Sequence, residues 1–190
     1  MTLTLNLDAA IDPRIEGERI YLRRLNDGDV STTYLEWMNA LEVNRYLESR
    51  FYEHTMESLR AFVATMASDL NNLFVGIFLK DGDRHIGNIK LGPINLWHGH
   101  ADIGLLIGDR ACWGQGYASE AIGILTDFAF EQIGLHRVTA GAYGDNEGSS
   151  RAFEKCGFTR EGILRSHWLC DGEFQDGVCL GKVNPRDVAA

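Results

Sequence analysis

Proline is scarce in this chain, three residues in 190, and no proline-rich, repetitive or low-complexity tract divides it. A chain of that length fills one domain with a full hydrophobic core, whereas two independent domains would be cramped. Residues 1–190 are therefore expected to form one domain, with its core over about residues 18–183. Paired cysteines are missing too. Cys112, Cys156, Cys170 and Cys179 stand singly, without the spacing of a zinc or redox motif, which argues for free thiols in a reducing cytoplasm over a disulfide framework. No stretch approaches the ~20 uninterrupted apolar residues of a membrane helix, and residues 1–10 lack the basic start and apolar block of a secretory signal. A cytoplasmic protein without a membrane partner is the expectation, with residues 1–10 as a short arm or a first edge strand. The scattered histidines put no third ligand near His98 and His100, so that pair reads as a solvated turn and no metal is expected.

Basic charge is the last deficit. Lysine and arginine number 18 against 27 acidic residues, a net charge of −9. A nucleic-acid surface needs a basic patch or stripe, so nucleic acid is not an expected partner. The summed field favours a cationic ligand such as an amine. Acidity for solubility alone accounts for the same balance.

What is present alternates between two periods. Residues 18–25 (ERIYLRRL) read as an opening strand, followed by a turn at 26–29. Ser31 is an N-cap candidate for a helix carrying Tyr34, Leu35, Trp37, Met38 and Leu41, and Thr55 for a second carrying Leu59, Phe62, Val63, Met66 and Leu70. Leu73–Leu79 is a buried strand, turned at Asp81-Gly82 into a return strand over His85–Leu91, and residues 101–107 form a third. Their short connections make them antiparallel. Residues 111–117 form a glycine-rich turn into a long helix over 118–132, which Gly134 ends. A strand over Arg137–Tyr143, a helix over 146–155 and two strands near 160–169 and 175–183 complete the order. It specifies an α+β (α/β mixed) fold, a mixed and mostly antiparallel sheet with helices on both faces.

The glycine-rich turn is the segment suited to chemistry. Glycines let a backbone approach phosphates, and the unpaired amides at a helix N-terminus bind anions. A dinucleotide fingerprint would need Gly or Ala where Ser119 stands, and an acid some twenty residues on, whereas residues 135–140 contain none. Taken alone, two glycines before a helix serve equally well as a tight turn.

The wider pattern is more specific. Gly114-Gln115-Gly116-Tyr117-Ala118-Ser119-Glu120-Ala121, then Asn146-x-x-Ser149, then Glu154-Lys155-Cys156-Gly157-Phe158, resembles the GNAT superfamily of N-acetyltransferases. It is most similar to the branch with the ribosomal-protein-alanine and spermidine acetyltransferases, over about residues 18–183. The resemblance implies the GNAT acyl-CoA N-acyltransferase fold and transfer of acetyl from acetyl-coenzyme A to a primary amine, on a small molecule or a protein N-terminus. The family's coenzyme A loop reads Gln/Arg-x-x-Gly-x-Gly/Ala. Gly116 and Ala118 match its last two fixed positions, while Trp113 stands where Gln or Arg is usual. The implied cofactor set is Trp113, Gly114, Gln115, Gly116, Tyr117, Ala118 and Ser119 in the loop, with Asn146 and Ser149 beyond it. The resemblance further implies that the strand over 101–107 splays from that over Arg137–Tyr143. Pantetheine would enter there and pair with the main chain at Leu106, Ile107 and Gly108, where an amide polarises the thioester carbonyl. Dimers or larger assemblies are implied as well, with the last strand as a pairing edge.

An attacking amine must be neutral although a free alkyl ammonium has a pKa near ~10, and the leaving thiolate needs a proton donor. Many relatives place a tyrosine for that purpose where this chain has Phe153. Ser149 matches a serine used near the sulfur in the ribosomal-protein branch and is the expected donor, although Asn146 and Ser149 also fit a plain helix cap and first turn. Asp102 is the expected base, with a solvated strand residue as its other reading and Glu36 and Tyr143 as alternatives. Trp37, Trp97 and Trp168 fit either an acceptor pocket or the core. Arg110, Arg151 and Lys155 fit either coenzyme A phosphates or solvated surface. A non-catalytic acyl-coenzyme A sensor is the competing reading, kept open by Phe153.

Overall fold

Side-chain alternation along the strands gives the sheet two apolar faces. A computed structural model describes residues 6–10 and 12–188. In β2 (Ile20–Arg24), Ile20 and Leu22 turn to one face and Tyr21 to the other, and in β3 (Leu73–Leu79) Ile77 and Phe78 divide the same way. With β1 (Arg14–Glu16), β4 (His85–Leu91), β5 (His100–Ile107), β6 (Arg137–Tyr143), β7 (Thr159–Cys170) and β8 (Glu173–Val183) they form one sheet, ordered β1-β2-β3-β4-β5-β6-β8-β7.

Helices cover both faces. On one, Tyr34 and Trp37 of α1 (Thr32–Asn39) and Leu59 and Val63 of α3 (Met56–Ser68) pack on Tyr21 and Phe78. On the other, Ala121, Ile122 and Leu125 of α4 (Tyr117–Phe128) and Ala152 and Phe153 of α5 (Glu147–Lys155) pack on Leu22, Ile77, Ile89, Ile103 and Val138. Full burial of each large aliphatic side chain contributes about 1.5–3 kcal/mol, so these stripes decide which face each helix covers.

Four local expectations are corrected. Residues 1–5 lie outside the described residues, Leu7–Ala10 is a short 3-10 turn, and the first edge strand is β1. Leu41 does not join the apolar face of α1. That helix ends at Asn39, whose side chain bonds the main chain of His54 in both directions, and Leu41 opens the separate α2 (Leu41–Asn44) with its side chain exposed. The long helix keeps α geometry only to Phe128. A wider turn over Ala129–Ile133 follows, closed by Gly134 at φ +87°. Finally, the last strand is no edge. β8 runs between β6 and β7, and β7 holds the border.

Every strand pair is antiparallel except β5–β6, and that pair positions the site. Its parallel register ends at Asp102↔Thr139. Beyond it, residues 103–107 stay with β4 and residues 140–143 stay with β8. Each strand keeps its antiparallel neighbour, and the right-handed twist carries the two apart. The sheet opens there into a V with Asp102 at its apex.

Candidate active site

The V opens into a cavity of about 840 Å³, the size of a small-molecule or cofactor site. Its lining comes from β5, β6, the glycine-rich turn, α5, residues 42–43 and 45–48, and Trp168.

Main-chain directions follow from the register. Gly92 N–H donates to Asp102 O (2.8 Å) and Gly108 N–H to Ile86 O (2.9 Å), so residues 102, 104, 106 and 108 direct their amides and carbonyls at β4. Those of Ile103, Leu105 and Ile107 face the gap. Leu106 lines the cavity while its peptide groups are used by β4. Gly108 does not line it at all, since its amide is taken and the Trp37 indole covers it so closely that a Cβ would collide. Ile107 lines the cavity, and its carbonyl accepts from the indole Nε1 of Trp113 (2.8 Å). Leu105 is the gap-facing residue that sequence reasoning missed, because only the pairing register reveals which peptides of a strand are free.

The turn itself is held from several sides. Asp109 Oδ1 accepts from Ala111 N–H (2.9 Å), starting the short 3-10 turn Arg110–Cys112. Gly114 (φ +71°) and Gly116 (φ +85°) then take left-handed conformations. Gly116 occupies the N-cap of α4 without a side chain to accept an amide, so the amides of residues 117–119 have no cap. Gly114, Gly116, Tyr117, Ala118 and Ser119 all line the cavity. Gln115 does not, because its side chain folds back onto Ala111 O and its carbonyl accepts from Arg19 Nη1 (2.9 Å). Arg19 and Glu120 form a strap that the sequence reading left unremarked. Arg19 Nε donates to Glu120 Oε2 (2.9 Å), while Glu120 Oε1 accepts from the amides of Arg19 (2.7 Å) and Ile20 (3.2 Å). Carboxylate and guanidinium together tie the turn to the start of β2, which a pairing a hundred residues apart in sequence could not disclose.

Asp102, at the apex, accepts from Thr139 Oγ1 (2.8 Å) and lines the cavity. Although solvent reaches its carboxyl, the surrounding protein strips part of its hydration and holds it above the usual carboxylate range, with Thr139, Lys90 and His100 opposing the rise. Across the gap, Asn146 caps α5. Its Oδ1 accepts from Ser149 N–H (3.2 Å), leaving the Ser149 hydroxyl with no hydrogen bond to another described residue while the residue lines the cavity. Phe153 is buried against Phe158 with a ring-edge contact (centroids 5.1 Å apart) and also borders the cavity.

The outlying candidates sort by place. Of the three tryptophans, Trp168 lines the cavity, Trp37 is core against Tyr34 and His85, and Trp97 is 91% exposed on the β4–β5 connection. Arg151 and Lys155 border the cavity, and Arg110 instead pairs with Glu42 (3.3 Å). Among the described residues no cluster of three or more His, Cys, Asp or Glu side chains is placed to hold a metal ion.

The profile of the acetyltransferase (GNAT) domain family matches residues 19–159. An uncharacterized N-acetyltransferase of Bacillus subtilis strain 168, YoaA, is 32% identical over 178 residues, covering 92% of this chain and 99% of the relative. The spermidine N(1)-acetyltransferase of Vibrio cholerae is 26% identical over 160 residues, 83% of this chain and 89% of the relative. The crystal structure of spermidine N-acetyltransferase from Vibrio cholerae in complex with CoA and spermine superposes with a TM-score of 0.79 at 22% identity, covering 90% of this chain and 98% of that one. At that identity the superposition speaks for the fold.

Proposed function

This chain belongs to the GNAT family of N-acetyltransferases, and on that premise we propose that it moves acetyl from acetyl-coenzyme A to a primary amine by direct attack on the thioester. The carrying observation is one cavity that joins the uncapped amides of α4 to the open edge of β5. The residues present fit the cofactor. Amides 117–119 suit its pyrophosphate, Arg151 and Lys155 border the same cavity, and the peptide groups of Leu105 with the amide of Ile107 face the slot for an extended pantetheine. When bound, acetyl-coenzyme A supplies an activated carbonyl and a thiolate leaving group.

In this reading a gap-facing amide of β5 would polarise the carbonyl, and Asp102 would receive the first proton of the acceptor ammonium, directly or through water. The Ser149 hydroxyl would donate to the departing thiolate while regaining the proton that the acylated nitrogen sheds, so that the serine ends unchanged. The relatives named for spermidine support a small-molecule amine acceptor, with a protein N-terminus as the other candidate. A bare acyl-coenzyme A sensor would give no use to the unbonded Ser149 hydroxyl or to Asp102. We read residues 1–190 as one catalytic unit that works in the cytoplasm, and no helix among the described residues is long and apolar enough to cross a membrane. Release of free coenzyme A with a panel of amines tests the reading, and binding without turnover across the panel would reject it.

Asp102 can act as a base only when ionised. Its raised pKa therefore predicts that kcat/KM falls as pH drops through a limb lying above the usual carboxylate range, and that Asp102→Asn removes this limb together with most of the rate. A limb unchanged in the Asn variant would assign the base elsewhere.

Association between copies is also proposed, through β7 and not β8. β7 is the border strand, nearly all of it is exposed, and Ile163 and Leu164 show apolar side chains there. Light scattering at micromolar concentration is expected to give at least the dimer mass. A monomer alone would reject it.

A further inference from the structure

At the end of β6 the cavity holds a side-chain arrangement that the transfer chemistry above does not use. Tyr143, the last residue of β6, is buried at the open mouth of the V. Its hydroxyl donates to Glu48 Oε1 (2.6 Å) and accepts from Arg50 Nη1 (2.6 Å). Its ring stacks on Trp168 (centroids 5.1 Å, 25° between planes) and lies 5.4 Å from the ring of Tyr46. Glu48, Tyr46, Tyr143 and Trp168 all line the cavity.

Charge accounting singles out Glu48. Of the cavity's carboxylates, Glu42 is paired with Arg110 (3.3 Å) and Asp102 is held at the apex by Thr139. Glu48 takes part in no ion pair among the described residues, and only its Oε1 is bonded, to a neutral phenol. Of the two arginines nearby, only Arg45 is in an ion pair. Arg45 pairs with Asp171 (2.8 Å), and Arg50 gives three hydrogen bonds, to Leu47 O (2.9 Å), Leu169 O (2.6 Å) and the Tyr143 hydroxyl, none of them to an anion. Thus a carboxylate with one oxygen oriented and the other open faces a recess walled by three aromatic rings. A cation gains by charge-assisted hydrogen bonding to the carboxylate, while the Tyr46 and Tyr143 rings already meet the guanidiniums of Arg45 (4.9 Å) and Arg50 (5.0 Å). Arg50 shares the Tyr143 hydroxyl with Glu48 and is in no ion pair of its own among the described residues, so its charge is the one a docked cation works against.

We propose that Glu48, oriented by Tyr143 within the Tyr46–Tyr143–Trp168 recess, is the residue that docks the ammonium group of the acceptor. The assignment rests on the acetyl-transfer reading for its role in turnover, but not for the binding itself. Arg50 is a positioning residue, holding Tyr143 against Glu48 and tying residues 47–50 to Leu169 of β7.

The test uses the full chain labelled with nitrogen-15. The indole N–H of Trp168, identified from the spectrum of Trp168→Phe, is followed while n-butylammonium, n-butanol or butyrate is added. A saturable shift with n-butylammonium alone is expected, weakened about tenfold or more in Glu48→Gln and less in Tyr143→Phe, as the loss of a charged hydrogen-bond partner dictates. In turnover, Glu48→Gln is expected to raise the acceptor KM by a similar factor with the acetyl-coenzyme A KM unchanged. Absence of a saturable ammonium shift, an equal shift in Glu48→Gln, or an equal response to butyrate overturns the proposal. Failure of acetyl-coenzyme A to stabilise the protein would instead overturn the transfer reading, and leaves the ammonium titration to stand or fall separately.

Discussion

Replacing Ser149 by alanine is expected to lower kcat by about 10²–10⁴-fold, the range typical of a lost general acid, while acetyl-coenzyme A affinity stays near its original value. The affinity survives because the proposed cradle is made of main-chain amides from the glycine turn, none of which belongs to Ser149. Stability survives as well. The cap of α5 is made by the Asn146 side chain to the Ser149 N–H, a backbone donor that alanine keeps, and the removed hydroxyl has no partner among the described residues. The change in unfolding free energy should stay within about 0.5 kcal/mol. Asn146→Ala gives the contrast, since it deletes the cap itself and should cost about 1 kcal/mol. Measuring kcat and melting temperature on the same preparations separates chemistry from capping. A full-rate Ser149→Ala enzyme would remove the serine from the mechanism. Phe153→Tyr in that background places a phenol beside the cavity, and partial recovery of rate is expected from it.

Gly116→Val should abolish binding of acetyl-coenzyme A and leave a folded protein. Gly116 sits at φ +85°, where a β-branched residue is strained by about 1–2 kcal/mol or more. Space is not the obstacle, because an added Cβ would meet only Arg19 Nη2 at 3.5 Å. The backbone therefore relaxes toward negative φ and re-aims the amides of residues 117–119. The wild type should gain about 2.7 kcal/mol at a cofactor concentration of 100 Kd, and the variant nothing. Unchanged cofactor affinity in folded Gly116→Val would show that the glycines serve only as a turn.

The elements were largely legible because their signals are local. Leu73–Leu79, His85–Leu91 and Arg137–Tyr143 have the bounds that the sequence pattern predicts, and Ser31, Thr55 and Asn146 cap the helices they were expected to cap. Errors fell where a distant contact overrides a local preference. Asn39 binding His54 stops α1 one residue before the break at Ala40, although Leu41 keeps the helical period. Nothing in residues 175–183 shows that they pair on both sides, with β6 and with β7, since both partners lie outside the segment. The site divides the same way. Gly116, Ala118, Asn146 and Ser149 carry a family pattern in short, ordered motifs, but Gln115 shares the loop motif without lining the cavity, and Gly108, expected beside the pantetheine, gives its amide to Ile86 instead.

By itself, then, the sequence determined the order of strands and helices, the glycine turn before α4 and the family, because periodicity, caps and positive-φ glycines act over a few residues. Only the tertiary structure decided which peptides of β5 are free, that Arg19 and Glu120 hold the turn, and that Glu48 meets Tyr143 across 95 positions. Hydrogen-bond direction and charge pairing depend on which segments lie side by side. That proximity is a property of the packed sheet, and no short stretch of the chain encodes it.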